Sequence, residues 1–282
     1  MKTYEVVGGG GTKLHVVESG RENGRTILFI HGYSQSSLCW SRQMNSDLAN
    51  DHRLLAMDLR GHGLSDKPSE GYTDSKLWAD DVNAVIKTLR LDQPALCGWS
   101  YGSIVILDYL RHYGEDRIGG LDLVGAVTKL GTEAALAVLT QDFLSLVPGF
   151  FSEHTEESVK SLRALIHLCV QKLTAEELYL MLGASVSVPT YVRKALFSRT
   201  FDNDDLLPKI RKPVLITYGT EDKVVKASAV EEHVAGLPHA QIHLVQGSGH
   251  APFWDEASLY NQRLREFCAS LGKQRRVEQR TL

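Results

Sequence analysis

One serine stands out in this sequence as a candidate nucleophile. Ser100 lies at the centre of residues 98–102, which read Gly-Trp-Ser-Tyr-Gly. An apolar run at 94–97 precedes this pattern, and a run with helical spacing at 103–110 follows it. A sharp turn from strand to helix exposes a serine hydroxyl at the edge of a sheet, and the two glycines give that turn room. The pattern therefore predicts a nucleophilic serine at position 100, although chance alone could also produce it.

The sequence also offers one histidine in a suitable place to act as a base. A serine is a weak nucleophile at neutral pH until an imidazole takes its proton. Of the late histidines, His233, His239 and His243 fall in a helical pattern, a turn and a strand. Only His250 follows the end of a strand, in a glycine-containing segment that allows a tight turn. We therefore assign His250 as the base.

Two neighbouring acidic residues compete for the task of orienting that imidazole. Glu221 and Asp222 follow the apolar run at 213–218, and their side chains point in opposite directions. Asp222 is favoured because its shorter side chain holds a tighter geometry. Asp122, on the preceding predicted strand, is a less favoured substitute. The chain order serine, acid, histidine is one of those in which such a triad occurs.

Attack by Ser100 creates an oxyanion, and two backbone N–H groups are predicted to stabilise it. The first belongs to Tyr101, at the start of the predicted helix, where the helix dipole also favours negative charge. The second belongs to Tyr33, since Gly32 lets the segment 31–34 bend toward the serine.

Two further histidines lie near these segments. His31 directly precedes Gly32 and is interpreted as a structural hydrogen-bonding residue rather than a second base. His62 lies in the segment 58–66, whose charged residues are interpreted as ties between loops. A contact with the substrate is the alternative interpretation of His62.

Strands and helices alternate along most of the chain. Residues 4–7 and 14–18 alternate in polarity like the strands of a hairpin, around four consecutive glycines. Continuous apolar runs, typical of strands covered on both faces, lie at 26–30, 54–57, 95–97, 121–124, 214–217 and 242–245. Helical spacing occurs at 38–49, 76–89, 103–113, 228–235 and 257–271. This α/β alternation predicts a mostly parallel sheet flanked by helices, with the site at the carboxyl edge of its strands.

One long segment interrupts the alternation. Residues 128–205 show no clear strand and have the spacing of four helices, at 133–146, 156–172, 175–182 and 189–201. A connection of this length inside a compact domain should be a structural element of its own. We predict a helical cap at 128–205, inserted into a core built from 1–127 and 206–282. The residues at 273–280 are interpreted as a basic, solvated tail.

The composition argues against several other functions. The formal net charge of −3 gives no basis for binding nucleic acid or an anionic membrane. No apolar stretch reaches the roughly 20 residues that a membrane span requires, and the first residues lack the apolar core of a secretory signal. Four scattered cysteines favour reduced thiols over disulfides or a metal site. We expect a cytoplasmic protein, monomeric or homodimeric, that needs no metal or organic cofactor.

These motifs together resemble those of the α/β-hydrolases, across residues 3–271. The matching segments are His31-Gly32, 58–66, 98–102, Gly219-x-x-Asp222 and Gly249-His250. The resemblance implies eight mostly parallel strands, a cap over the site and a Ser-Asp-His triad. Within the family, the chain is most similar to carboxylesterases and to cofactor-free haloperoxidases and perhydrolases. Ser100 stands where epoxide hydrolases and haloalkane dehalogenases carry aspartate, which argues against those two reactions.

The predicted reaction is hydrolysis of a carboxylic ester through an acyl-enzyme on Ser100. His250 takes the serine proton and later activates water, while Asp222 orients the imidazole. Hydrolysis of lactones, thioesters or C–C bonds, and perhydrolysis, would use the same three residues and stay open. A ligand-binding receptor on a hydrolase scaffold is a further alternative.

Six apolar residues are candidates for contacting a small to medium, mainly hydrophobic ester. Those next to the predicted catalytic loops are Trp99, Leu38, Trp40 and Phe253, and those in the cap are Phe143 and Val147. Because aromatic and aliphatic residues also pack between elements, the sequence does not decide which of them reach the substrate.

Overall fold

In a computed structural model, which describes the backbone of residues 1–278 and the side chains of residues 1–271, the chain forms ten strands. They are β1 Lys2–Val7, β2 Lys13–Gly20, β3 Arg25–Ile30, β4 His52–Met57, β5 Ala95–Trp99, β6 Gly120–Val124, β7 Lys129–Leu130, β8 Phe201–Asp202, β9 Val214–Gly219 and β10 Gln241–Val245. Eight of them form one sheet, in the order β1-β2-β4-β3-β5-β6-β9-β10. In this sheet β2 is antiparallel to β1 and β4, and the other pairs are parallel. The predicted mostly parallel, eight-stranded sheet is confirmed.

Eleven α-helices accompany the strands in the described part of the chain. They are α1 Ser41–Met44, α2 Ser75–Thr88, α3 Tyr101–Tyr113, α4 Glu133–Ala137, α5 Gln141–Phe150, α6 Thr155–Cys169, α7 Ala175–Ser187, α8 Thr190–Phe197, α9 Ala227–Gly236, α10 Pro252–Asp255 and α11 Ala257–Glu278. The central strands β3 and β9 are buried along nearly their whole length, which explains their continuous apolar runs.

The sheet separates two apolar cores. Leu28 of β3 packs in one core with Ile106 of α3, while the next residue, Phe29, packs in the other core with Phe267 of α11. Successive residues of a strand point to opposite faces, so each core receives every second side chain. Helices therefore pack on both faces of the sheet, and loops follow the carboxyl ends of its parallel strands.

The predicted helix at 38–49 is instead three short pieces. The 3₁₀ turns Ser37–Trp40 and Asp47–Asn50 flank α1. The hydroxyls of Ser36 and Ser46 each accept a hydrogen bond from the backbone N–H two residues later. Such local side-chain bonds compete with a continuous helix, and apolar spacing alone does not reveal them.

Helices α4 to α8 lie between β6 and β9 in the sequence, which confirms the inserted helical cap. The predicted helix at 133–146 is divided into α4 and α5 because Thr140 caps α5, accepting a hydrogen bond from the backbone of Phe143 at 3.2 Å. β7 and β8 pair antiparallel, with Leu130 opposite Phe201. The sequence predicted no strand there, since two-residue strands leave no alternating pattern. The domain boundaries at 128 and 205 stay a prediction.

The basic segment at 273–280 lies beyond the side chains that the structure describes. No helix in the described residues is both long and apolar enough to cross a bilayer.

Candidate active site

Ser100 occupies a sharp turn between β5 and α3. Its backbone has φ 52° and ψ −115°, a conformation that costs a non-glycine residue on the order of 1–3 kcal/mol. A Cβ atom on Gly102 would clash with the carbonyl oxygen of Ile30 on the neighbouring strand. One on Gly98 would lie 2.6 Å from Cδ1 of Ile106. Both glycines of the motif are therefore needed for the turn to pack.

His250 and Asp222 lie on the loops that follow β10 and β9. Nδ1 of His250 donates a hydrogen bond to Oδ2 of Asp222 at 2.7 Å, and both side chains are almost fully buried. The other carboxylate oxygen, Oδ1, accepts hydrogen bonds from the backbone N–H groups of Val224 and Val225 at 2.8 and 2.9 Å. Because Nδ1 carries the donated proton, Nε2 of the neutral ring is left as the basic nitrogen. Nε2 is buried and has no hydrogen-bond partner among the described residues, and His250 lines the same cavity as Ser100.

The two alternative acids lie elsewhere. Glu221 is exposed to solvent. Asp122 is buried in the core, where it accepts hydrogen bonds from the hydroxyls of Thr217 and Tyr260 at 2.8 and 2.9 Å. Burial raises the pKa of Asp122 to about 6, and these hydrogen bonds offset part of that effect. The geometry thus favours Asp222 as the partner of the imidazole.

We expect Asp122→Asn to stabilise the protein, relative to wild type, increasingly as the pH rises from 4 to 6. The raised pKa means that folded protein keeps a proton on Asp122 at pH values where the unfolded chain has lost it. The stability from this group is therefore complete below about pH 4 and is lost as the pH rises through about 6. Asparagine stays neutral and does not lose it, a difference on the order of 2–3 kcal/mol.

Urea unfolding of both proteins across this pH range measures the difference in the free energy of unfolding. The exposed Asp116 provides the control, since Asp116→Asn should show no such pH dependence. A constant difference between wild type and Asp122→Asn over this range would contradict the assignment.

Asp58 ties three segments together. Its carboxylate accepts hydrogen bonds from the backbone N–H of Ser37 at 2.6 Å and of Leu64 at 2.9 Å, and from Nδ1 of His15 at 3.0 Å. Burial alone would raise the pKa of Asp58, but these donors and nearby His31 lower it to about 2. The charged segment 58–66 therefore joins loops, as its sequence suggested.

His31 and His62 use their ring nitrogens to hold the backbone. Nδ1 of His31 lies 2.8 Å from the carbonyl oxygen of Gly32, and Nε2 accepts a hydrogen bond from the N–H of Leu59 at 3.0 Å. Nδ1 of His62 lies 2.8 Å from the carbonyl oxygen of Arg60, and burial lowers the pKa of His62 to about 3. Neither ring lines the cavity beside Ser100. This placement fits a structural role for both.

The two predicted oxyanion donors lie next to Ser100. A Cβ atom on Gly32 would lie 3.3 Å from Cβ of Ser100, so the segment that carries Tyr33 passes against Ser100. Tyr101 begins α3, whose amino terminus concentrates positive charge. The backbone N–H groups of Tyr33 and Tyr101 make no backbone hydrogen bond within the described chain. Both are thus available to a negatively charged oxygen.

Arg199 and Asp108 anchor the tyrosine that follows Ser100, and sequence reasoning missed them. The guanidinium of Arg199 donates to both oxygens of Asp108, at 2.9 and 2.8 Å, and to the hydroxyl of Tyr101 at 3.2 Å. Burial raises the pKa of Asp108 to about 6, although the guanidinium opposes that shift. The two residues are 91 positions apart, so no local pattern could have joined them.

A cavity of about 50 Å³ lies beside Ser100. Its lining residues come from the sheet edge and from the cap: Tyr33, Trp99, Ser100, Tyr101, Ile104, Val127, Leu130, Leu139, Phe143, Leu165, Cys169, Phe197, Val224 and His250. No lysine, arginine, aspartate or glutamate is among them. In the described residues, no group of three or more histidine, cysteine, aspartate and glutamate side chains could hold a metal ion. The cavity therefore suits a small, uncharged, apolar group.

Two of the six predicted substrate contacts, Trp99 and Phe143, line this cavity. The other four, Leu38, Trp40, Phe253 and Val147, do not. Trp40 and Phe253 are fully buried and pack against each other, with ring centroids 4.1 Å apart, while Leu38 is 50% exposed. Adjacency to a catalytic loop does not fix the direction of a side chain, and these aromatic rings fill the core instead. None of the four lies at the cavity beside Ser100, and their contact with a substrate stays a prediction.

The chain belongs to the α/β-hydrolase family. The model of that family, described as the alpha/beta hydrolase fold, matches residues 25–257. The predicted family and fold class are therefore confirmed, and the chain is a hydrolase in this broad sense.

Three relatives are similar to this chain over most of its length. The crystal structure of esterase RhEst1 from Rhodococcus sp. ECU1013 is 37% identical, with a TM-score of 0.92, over 96% of this chain and 100% of that one. The AB hydrolase superfamily protein YisY of Bacillus subtilis (strain 168) is 30% identical over 255 residues, 88% of this chain and 93% of the relative. A non-heme chloroperoxidase of Streptomyces lividans is 29% identical over 280 residues, 92% and 97% of the two chains. The resemblance to esterases and haloperoxidases is thereby confirmed.

Proposed function

We propose that this protein hydrolyses carboxylic esters with a small apolar acyl group through an acyl-enzyme on Ser100. Ser100 and His250 line a single apolar cavity, and the carboxylate of Asp222, 2.7 Å from Nδ1, holds the imidazole with Nε2 as its basic nitrogen. A similar esterase structure supports the same reaction.

Acylation begins when Nε2 of His250 accepts the proton of the Ser100 hydroxyl and the serine oxygen attacks the ester carbonyl. The negative charge on the carbonyl oxygen is stabilised by the N–H groups of Tyr33 and Tyr101. The imidazolium, stabilised by Asp222, then gives its proton to the departing alcohol. An acyl group remains bound to the serine oxygen.

Deacylation repeats these steps with water as the nucleophile. His250 takes a proton from water, and the resulting hydroxide attacks the acyl carbonyl. The imidazolium then returns the proton to the oxygen of Ser100, which leaves as the hydroxyl, and a carboxylic acid is released. All three residues end the cycle in their starting protonation states.

The size of the cavity argues for a short acyl group. A single water needs about 10–15 Å³ of comparable volume, so 50 Å³ holds only about four water-sized groups. Phe143, Phe197 and Leu165 of the cap contribute to the walls of the cavity. Extending an acyl chain beyond a few carbons would force these side chains apart, which costs packing energy.

A panel of acyl donors with matched acyl groups tests the reaction class. We expect the highest kcat/KM with p-nitrophenyl acetate and butyrate, and lower values with the corresponding thioesters, with lactones and in peracid formation. A higher kcat/KM for one of the other classes, or for cleavage of a C–C bond, would replace ester hydrolysis by that reaction.

We expect Phe143→Ala to shift the preference toward longer acyl chains. Removing this phenyl ring lengthens the cavity, so the ratio of kcat/KM for octanoate to that for acetate should rise about tenfold. The neighbouring Phe151→Ala is the matched control, because Phe151 packs on Phe197 but does not line the cavity. Its ratio should equal that of wild type. An unchanged ratio in Phe143→Ala would exclude this side of the cavity as the acyl site.

A further inference from the structure

The segment 31–36 between β3 and the first 3₁₀ turn, here called the oxyanion loop, contains a strained residue. Ser34 has φ 55°, in the left-handed region that favours glycine, and its side chain is fully buried. It directly follows Tyr33, the predicted oxyanion donor. A serine holds this conformation only when its surroundings enforce it.

Hydrogen bonds join the oxyanion loop to helix α7 of the cap. The hydroxyl of Ser34 donates to the carbonyl oxygen of Ser185 on α7 at 3.1 Å. Nε2 of Gln35 donates to the hydroxyl of Ser185 at 2.9 Å and to the carbonyl oxygen of Met181 at 3.3 Å. Gln35 and Ser185 are both buried, with exposed fractions of 5% and 1%. Two consecutive residues of the oxyanion loop are thus bonded to the last turns of one cap helix.

Ser185 is itself held in place by a buried arginine. Arg193 of α8 donates to the carbonyl oxygens of Ser185 and Phe150, at 3.4 and 2.9 Å, and to the hydroxyl of Ser158 at 3.0 Å. Its guanidinium therefore joins α5, α6 and α7 around the point where α7 contacts the oxyanion loop. A carbonyl at the end of a helix carries partial negative charge, which this cation neutralises.

We propose that Gln35 and Ser185 are positioning residues, through which α7 of the cap holds the oxyanion loop in the shape that ester hydrolysis requires. This inference rests on the proposed function, because it assigns a role to the loop only in stabilising an oxyanion. The cap then does more than enclose the acyl group: its docking on the core completes the site that stabilises the transition state.

Displacing the oxyanion loop should affect kcat and KM differently. Oxyanion donors bind the transition state more strongly than the substrate, so displacing them lowers kcat and leaves KM nearly unchanged. A displacement of about 1 Å can cost about 10²-fold in rate. The affinity for a trifluoromethyl ketone, which forms a tetrahedral adduct with the serine, should fall in parallel with kcat.

The test compares Gln35→Met, which keeps the length of the side chain without its amide, and Ser185→Ala, which keeps the helix. We expect each to lower kcat on p-nitrophenyl acetate about 10- to 100-fold, with KM within threefold of wild type. The inhibition constant of the trifluoromethyl ketone should rise by the same factor. Ser185→Thr, which restores a hydroxyl, should recover most of the activity. If Gln35→Met does not fold, Ser185→Ala carries the test alone.

Ser187→Ala is the matched control, because the hydroxyl of Ser187 bonds only to Ala184 within the same helix. It should match wild type in kcat and in inhibitor affinity. A lower Tm with unchanged kcat and inhibition constant in Gln35→Met and Ser185→Ala would overturn the proposal, since the contacts would then serve stability alone. The proposed function is tested separately. It fails if Ser100→Ala hydrolyses the ester at the wild-type rate.

Discussion

Replacing Ser100 by alanine is expected to lower kcat for ester hydrolysis by a factor on the order of 10⁶. In the proposed reaction the serine oxygen forms the bond to the acyl carbon, so no other group in the cavity can replace it. Residual turnover, from water attacking an ester held near the oxyanion donors, should remain measurable above the uncatalysed rate. Substrate binding should change little, because the small serine side chain contributes little of the contact surface.

A p-nitrophenyl phosphonate provides the direct readout of the same prediction. Wild-type protein should lose activity in step with the gain of one phosphonyl group, found by mass spectrometry on the peptide that contains Ser100. Ser100→Ala should gain none. Ser103→Ala is the control, since Ser103 lies one turn along α3 and its hydroxyl only bonds to the carbonyl oxygen of Gly98. It should keep activity within about tenfold and still be labelled. Labelling at another serine would overturn the assignment.

The convergence of the loops that carry the candidate triad could be predicted because parallel strands end at one edge of a sheet. Ser100, Asp222 and His250 each follow a strand that the apolar runs located to within a few residues. Predicting that these loops meet did not require knowing where β5, β9 and β10 lie in the order of the sheet. The candidate triad was therefore accessible from local patterns combined with one topological rule.

The cavity beside Ser100 was less predictable, because its walls depend on contacts between segments distant in sequence. Leu139 and Phe143 lie on either side of Thr140, the N-cap residue of α5. Thr140 separates α4 from α5 where the sequence predicted one helix, and this changes the face that each side chain presents. Trp40 appeared as suited to a substrate as Trp99 but fills the core. The strained Ser34 depends on hydrogen bonds to a helix about 150 residues later, which no spacing in the sequence records.

Replacing Asp222 by asparagine is expected to lower kcat about 10⁴-fold. The same experiment distinguishes Asp222 from Glu221 as the acid that orients His250. Oδ1 of Asp222 accepts two backbone N–H bonds, from Val224 and Val225, so the amide oxygen of asparagine must take that place. Its NH₂ group would then face Nδ1 of His250 and donate to it. The ring proton would move to Nε2, the nitrogen that accepts the serine proton in the proposed reaction.

The wrong tautomer, rather than a lost charge alone, is therefore the expected cause of that inactivation, and the folded structure should be retained. The neighbouring Glu221→Gln tests the alternative acid with the same chemical change. Glu221 is exposed, so its variant should keep kcat within twofold of wild type. Steady-state hydrolysis of p-nitrophenyl acetate measures both, with Tm as the check on folding. A large loss in Glu221→Gln together with an active Asp222→Asn would reverse the assignment, because the imidazole would then be oriented from the solvent side of the loop.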